Sequence, residues 1–201
     1  MQVQACFAVP VYDSVVPSPS LQLIQEEFRH AVSELDKTNS FKYHEGWNPG
    51  THQLSDTTFS DSLMTSFNLT VFKKELDRHV KAYITALGIP ENIEYKILSA
   101  WITKTNKNEY SYIHNHGTSD ISGVYYYKTN GKDGNIGFRN NMKEFITFLL
   151  QNMPTDIMYE PEVGKIILFP GWMDHYVQPN LTNNERISVS FNIAFKRPEF
   201  K

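Results

Sequence analysis

Only one cysteine, Cys6, occurs in 201 residues, which excludes an internal disulfide and any metal site built on several thiolates. No run of about 18 consecutive apolar residues is present, so no transmembrane helix is expected. The opening residues, Met1 to Pro10, lack a basic segment followed by an apolar stretch, and no secretory signal is expected. An excess of one charge is lacking too: Lys+Arg 19 against Asp+Glu 22 leaves a net −3. No global positive field therefore draws in nucleic acid or an anionic membrane, and the expected location is the cytoplasm. Repeats, low-complexity tracts and linkers are also missing. The length fits one core, so residues 1–201 are expected to form a single domain.

What is plentiful is aromatic: 13 Phe, 11 Tyr and 3 Trp. Ala5 to Tyr12 reads as a short strand whose Pro10 points to a sheet edge. Ser18-Pro19 has the form of a helix start, with Ser18 as cap and Pro19 at the first helical position. Leu21, Ile24, Phe28, Val32 and Leu35 then recur at helical spacing. A polar stretch from about Thr38 to Ser62 reads as a loop with Trp47 buried in it, and a second helix runs from near Asn68 to Gly88. From Tyr95 the pattern changes to strands: Tyr95 to Thr103, Ile121 to Lys128, Asn135 to Arg139, Lys165 to Phe169 and Arg186 to Lys196. Thr129 to Gly134 has the composition of a hairpin connection, and Asn141 to Asn152 that of a short inserted helix. Helices first and strands afterwards predict an α+β, mainly β fold, a sandwich or jelly roll, with 1–94 as mostly helical support and 95–201 as the strand core.

Seven histidines are present. His30 and His79 fall in the expected helices and His44 and His52 in the polar loop, where solvated or hydrogen-bonded roles are the ordinary ones. The other three differ. His114-Asn115-His116 follows a strand end, and a two-residue step on extended backbone aims both imidazoles the same way. Gly164 to Pro170 reads as a buried strand that stops at Pro170-Gly171 and presents His175 just beyond. Eleven residues later, Arg186-Ile187-Ser188 opens a strand whose alternation puts Arg186, Ser188, Ser190 and Asn192 on one face. Such an arginine can hold a carboxylate through two hydrogen bonds, with Ser188 adding a third. His-Asn-His also spells a nuclease name, but the residues of that motif are dispersed over a longer stretch.

His114-x-His116, then Ser122-Gly123-Val124-Tyr125-Tyr126-Tyr127, then Gly164 to Pro170, His175 and Arg186-Ile187-Ser188 resemble the 2-oxoglutarate/Fe(II) oxygenase superfamily. The motifs are most similar to those of small prolyl-hydroxylase-like oxygenases of bacteria and bacteriophages. The resemblance runs from about Trp101 to Phe195 and implies a double-stranded β-helix. It implies Fe(II) with 2-oxoglutarate and dioxygen as co-substrates, and hydroxylation of a small-molecule or peptidyl substrate. His114 and His175 match the iron-binding histidines, Arg186 and Ser188 the pair that holds the distal carboxylate of 2-oxoglutarate, and Tyr126 a tyrosine that reaches the same carboxylate. One position departs, because a carboxylate usually stands where this chain has His116. His116 is favoured as third ligand on spacing, since three imidazoles still bind Fe(II), and Asp120 stays open as its alternative. Two other readings accompany this one: a jelly-roll module that turns nothing over, and a cupin-like three-histidine dioxygenase without 2-oxoglutarate.

Overall fold

The computed structural model describes residues 8–43, 52–55, 62–90, 92–140 and 154–196. Its elements, in order, are β1 (Tyr12–Val15), α1 (Ser18–Lys37), β2 (Phe41–Tyr43), β3 (Gln53–Ser55), α2 (Ser62–Ser66), α3 (Thr70–Ala86), β4 (Tyr95–Thr105), β5 (Ser111–His114), β6 (Ile121–Lys128), β7 (Ile136–Arg139), β8 (Asp156–Tyr159), β9 (Lys165–Pro170), β10 (His175–Val177) and β11 (Arg186–Phe195). Two antiparallel sheets result. The larger has the order β1-β9-β6-β11-β4-β3-β2, and the smaller β5-β10-β7-β8. This is the mainly β jelly-roll architecture expected for the chain.

Alternation along the large sheet decides which side faces what. On β11, Ile187, Val189, Phe191 and Ile193 join a core with Ile24 and Phe28 of α1 and Phe72 and Leu76 of α3. On β6, Tyr125 faces that helical layer, whereas Val124 and Tyr126 turn to the other side with Phe138, Ile167 and Phe169. The helices thus cover one face, and the smaller sheet covers the other. Phe191 reaches so close to β6 that a Cβ on Gly123 would sit 2.5 Å from its ring.

The helices are fixed at their ends by identifiable bonds. Pro17 caps α1 in an extended conformation, and its carbonyl accepts the first helical bond from Leu21 N at 3.0 Å. Ser18 is therefore the first helical residue and Pro19 the second, so the cap lies one position before the expected Ser18. No side chain of its own caps α3; instead Glu27 of α1 accepts from Val71 N and Phe72 N at 2.8 and 2.9 Å. That carboxylate also suits the positive end of the helix dipole. At the far end Gly88 takes φ +72, with Ile89 N bonded to Ile84 O and Gly88 N to Thr85 O. This is the closed helix end that a glycine permits.

Several expectations change. The first strand starts at Tyr12, where pairing with Leu168 begins, and residues 8–11 carry no ladder; it does lie at the sheet edge. The expected loop from Thr38 to Ser62 contains β2 and β3, which extend the sheet beyond β4. Three-residue strands have too little pattern to be read locally; the edge of β4 templates them. Thr129 to Gly134 is not a hairpin, because β6 and β7 belong to different sheets. Inside that turn the Asp133 carboxylate accepts from Thr129 Oγ1 and Asn130 N at 2.6 and 2.9 Å, which bends the chain across. Trp47, His44 and Asn141 to Asn152 lie outside the described residues. Among those described, no helix is long and apolar enough to cross a membrane.

Candidate metal centre

β5 and β10 pair antiparallel with His114 opposite His175. Their rings stand 4.3 Å apart between centroids. His116 lies just past the strand and is held by its backbone: its N–H donates to Gly171 O at 2.7 Å, and its C=O accepts from Ser119 N at 2.8 Å. Its ring centroid is 5.1 Å from that of His114 and 5.2 Å from that of His175. The three residues offer ligand atoms that all lie within 4.8 Å of one another.

The protonation of the cluster suits a cation. His114 Nδ1 is 2.7 Å from Tyr112 O and His175 Nδ1 is 2.9 Å from Met173 O. A carbonyl can only accept, so each Nδ1 carries the proton and each Nε2 the lone pair. Burial, and after it the neighbouring His114, pushes His116 down to about 4. Burial likewise lowers His114 and holds His175 well below the ordinary histidine range. Three neutral imidazoles with lone pairs close together form a donor set that fits a first-row divalent ion. No carboxylate belongs to the cluster among the described residues. Asp120, the alternative third ligand, is placed elsewhere: its carboxylate accepts from Phe195 N at 2.8 Å, at the end of β11. The turn from Gly117 to Ser119 carries it away from the histidines rather than back to them.

A cavity of about 660 Å³ lies between the sheets, with the three histidines in its wall. Arg186, Ser188, Ser190 and Asn192 all line it, as the alternation of β11 requires, together with Tyr126, Thr103 and Trp101. Ser188 stands level with Tyr126 on one neighbouring strand and Thr103 on the other. Arg186 is 3% exposed. Its Nη1 donates to Asp133 O and Gly134 O, both at 2.8 Å, and its Nη2 to Thr105 Oγ1 at 3.0 Å. The sequence alone makes a buried arginine seem to demand an external anion; here two carbonyls and the nearby Asp133 charge meet part of that demand. Tyr126, buried and beside Arg186, has its phenol pushed up to about 12 by burial. It stays protonated and able to donate.

Some cavity residues carried no signal. His52, read as an ordinary loop histidine, is buried in the cavity wall, with Nδ1 3.1 Å from Tyr110 O and 2.9 Å from Ser111 Oγ. Trp101 packs its ring 5.8 Å from that of His116. Thr105 and the carbonyls of Asp133 and Gly134 reach Arg186 only through tertiary folding.

Comparison with known proteins gives a family model described as "Putative 2OG-Fe(II) oxygenase", matching residues 99–192, a span that contains all three histidines and Arg186. A second model, described as PsbP, matches 27–137; that span stops before His175 and Arg186 and divides the large sheet. No curated protein sequence matches the chain. Solved structures similar in fold include a prolyl-4-hydroxylase of Pseudomonas putida, with TM-score 0.61, 12% identity and coverage of 94% of both chains. HygX of Streptomyces hygroscopicus, crystallised with nickel, 2-oxoglutarate and hygromycin B, aligns with TM-score 0.60 at 14% identity over 92% of this chain and 83% of its own. A prolyl hydroxylase of Trichoplax adhaerens, in complex with a hypoxia inducible factor peptide fragment, gives 0.59 at 12% identity over 92% and 82%.

Proposed function

We infer that this chain is a 2-oxoglutarate- and Fe(II)-dependent oxygenase, as the family model over residues 99–192 supports, that His114, His116 and His175 hold the iron, and that the cavity beside them binds 2-oxoglutarate and a substrate to be hydroxylated. When bound, ferrous iron supplies dioxygen activation coupled to the decarboxylation of 2-oxoglutarate to succinate and carbon dioxide. The residues of the chain supply the geometry. Tyr112 O and Met173 O fix the tautomers of two histidines, so that their Nε2 lone pairs are the ones presented to the ion. Arg186 offers its remaining N–H groups to the distal carboxylate, with Ser188 and the protonated Tyr126 as further donors. Phe169, 4.7 Å from the His175 ring, and Trp101 exclude water from the inner wall.

The observation that carries this reading is the convergence of three neutral histidines on the wall of a cavity that also holds Arg186. The cavity suits a small molecule or one side chain of a peptide. HygX with its bound hygromycin B and the Trichoplax enzyme with its peptide exemplify the two classes on this fold. We take residues 1–201 as one oxygenase domain, working where iron stays ferrous, as in a cytoplasm. The test is succinate formation from 2-oxoglutarate under air with Fe(II), measured for the wild type and for His175→Ala. Succinate that does not depend on His175 removes the reading.

A second reading has one observation in its favour. Because Arg186 already has three hydrogen bonds within the chain, a three-histidine dioxygenase that uses no 2-oxoglutarate is compatible with the same wall. Binding of 2-oxoglutarate to the anaerobic Fe(II) protein separates the two.

A further inference from the structure

Behind the histidines lies a row of hydrogen bonds whose protons do not add up as its heavy atoms first suggest. Ser119 Oγ is 2.8 Å from His116 O and 2.9 Å from Ser122 Oγ, and Ser122 Oγ is 2.7 Å from Asn192 Oδ1. At the other end of the amide, Asn192 Nδ2 is 3.1 Å from Ser99 Oγ. His116 O and an amide oxygen are acceptors only, and each hydroxyl between them carries one proton. Three oxygen–oxygen contacts would therefore share two protons, leaving one contact below 3 Å with none. Ser122 is 1% exposed and Ser119 7%, so bulk water does not relieve the conflict.

Turning the Asn192 amide by 180° removes it, because oxygen and nitrogen exchange places without disturbing the packing. Nitrogen then donates to Ser122, Ser122 to Ser119, and Ser119 to His116 O, while Ser99 donates to the amide oxygen. Every contact holds one proton, and the row runs in one direction. Its end point matters, because His114 and His175 are fixed by a strand ladder whereas His116 stands beyond the strand.

We propose that Asn192 is a positioning residue for His116, acting through Ser122 and Ser119, with its amide nitrogen directed at Ser122. This rests on the reading of the three histidines as a metal site. Asn192 lines the cavity, so the row joins the cavity wall to the third histidine.

The test uses cobalt(II) chloride as the probe with the full chain, following affinity and the visible d–d bands, with thermal melting of the metal-free protein to confirm folding. Ser122→Ala breaks the row, and Asn192→Asp removes its donor: a carboxylate draws the Ser122 proton back and leaves the Ser119–Ser122 contact bare. Both should bind cobalt about 10-fold more weakly, the low end for residues that orient a ligand, and shift the bands. Ser99→Ala should leave affinity and bands unchanged, because the donation from Asn192 to Ser122 survives it. Should Ser122→Ala fail to fold, Ser119→Ala makes the same break. Wild-type spectra in Asn192→Asp, or a Ser99→Ala protein that behaves like Ser122→Ala, would overturn the proposal. A wild type that binds no cobalt instead removes the metal reading on which it stands.

Discussion

His114 and His175 are register partners across β5 and β10, with ring centroids 4.3 Å apart. Two distant stretches of sequence are thus tied by backbone bonds at the point where their side chains meet. The ladder holds the pair close whether or not an ion is present.

His175→Ala should abolish tight binding of Fe(II) or Co(II), because it removes the most buried of the three donors. Asp120→Ala should leave metal affinity within about twofold of wild type, since its carboxylate serves Phe195 N instead. It should lower stability by about 1–2 kcal/mol through the lost charged acceptor. Calorimetric titration with Co(II) and urea unfolding, run on both variants, check the contrast.

Arg186→Ala should weaken 2-oxoglutarate roughly ten- to hundredfold, the equivalent of about 1.5–3 kcal/mol for a charge-assisted contact. The charge-transfer absorption of the anaerobic Fe(II) protein reads it. Lysine should rescue only in part, lacking the planar fork. Stability should fall as well, because the carbonyls of Asp133 and Gly134 lose their shared donor. Unaltered 2-oxoglutarate affinity in both variants would remove Arg186 from the co-substrate site.

The sequence made the long elements plain because their patterns repeat: Ile121 to Lys128 is a strand over those same residues, and β11 shows its polar face to the cavity as alternation required. His114, His116 and His175 were legible because two of them share a short motif and the third follows a Pro-Gly stop. Beyond reach were β3 and β10, whose three residues hold too few periods to register. Asp120 could not be set aside either, because the partner of its carboxylate, Phe195 N, lies 75 residues away. His52 was read by its polar neighbours, whereas its place is set by Ser111 across the fold.

His79 should give the fold an acid-sensitive step. It is fully buried; Arg78 Nη2 donates to its Nε2 at 3.0 Å, so Nδ1 carries the proton and donates to Tyr12 Oη at 2.7 Å. Burial first, and then the Arg78 charge, depress it to about 4. The unfolded chain takes up this proton near pH 6.5 and the folded chain only near 4. Stability is therefore complete above pH 6.5 and falls as pH drops to 4, by up to about 3 kcal/mol. Urea midpoints measured across that window should fall less steeply for His79→Gln than for wild type; parallel curves would assign the acid sensitivity to other groups.

Gly134 should tolerate no side chain, and the reason links the turn to the cavity. Its φ is +102, a conformation side chains rarely adopt, and a Cβ would lie 2.2 Å from Gln178 O and 3.1 Å from Arg186 Nη1. The first contact is to backbone and cannot be relieved by a rotamer change. Gly134→Ala should therefore cost about 2–4 kcal/mol from strain and overlap together. It should also loosen Arg186, whose Nη1 donates to the carbonyl of this residue. Gly117 provides the contrast: it is nearer the histidine motif in sequence, but a Cβ there meets only Asn115 Oδ1 at 3.5 Å. Gly117→Ala should keep both stability and metal affinity. Urea unfolding and 2-oxoglutarate titration of the two variants should separate them, with Gly134→Ala losing on both measures. A Gly134→Ala protein as stable as wild type would mean that the turn can shift away from Gln178, and that the position of Arg186 does not depend on it.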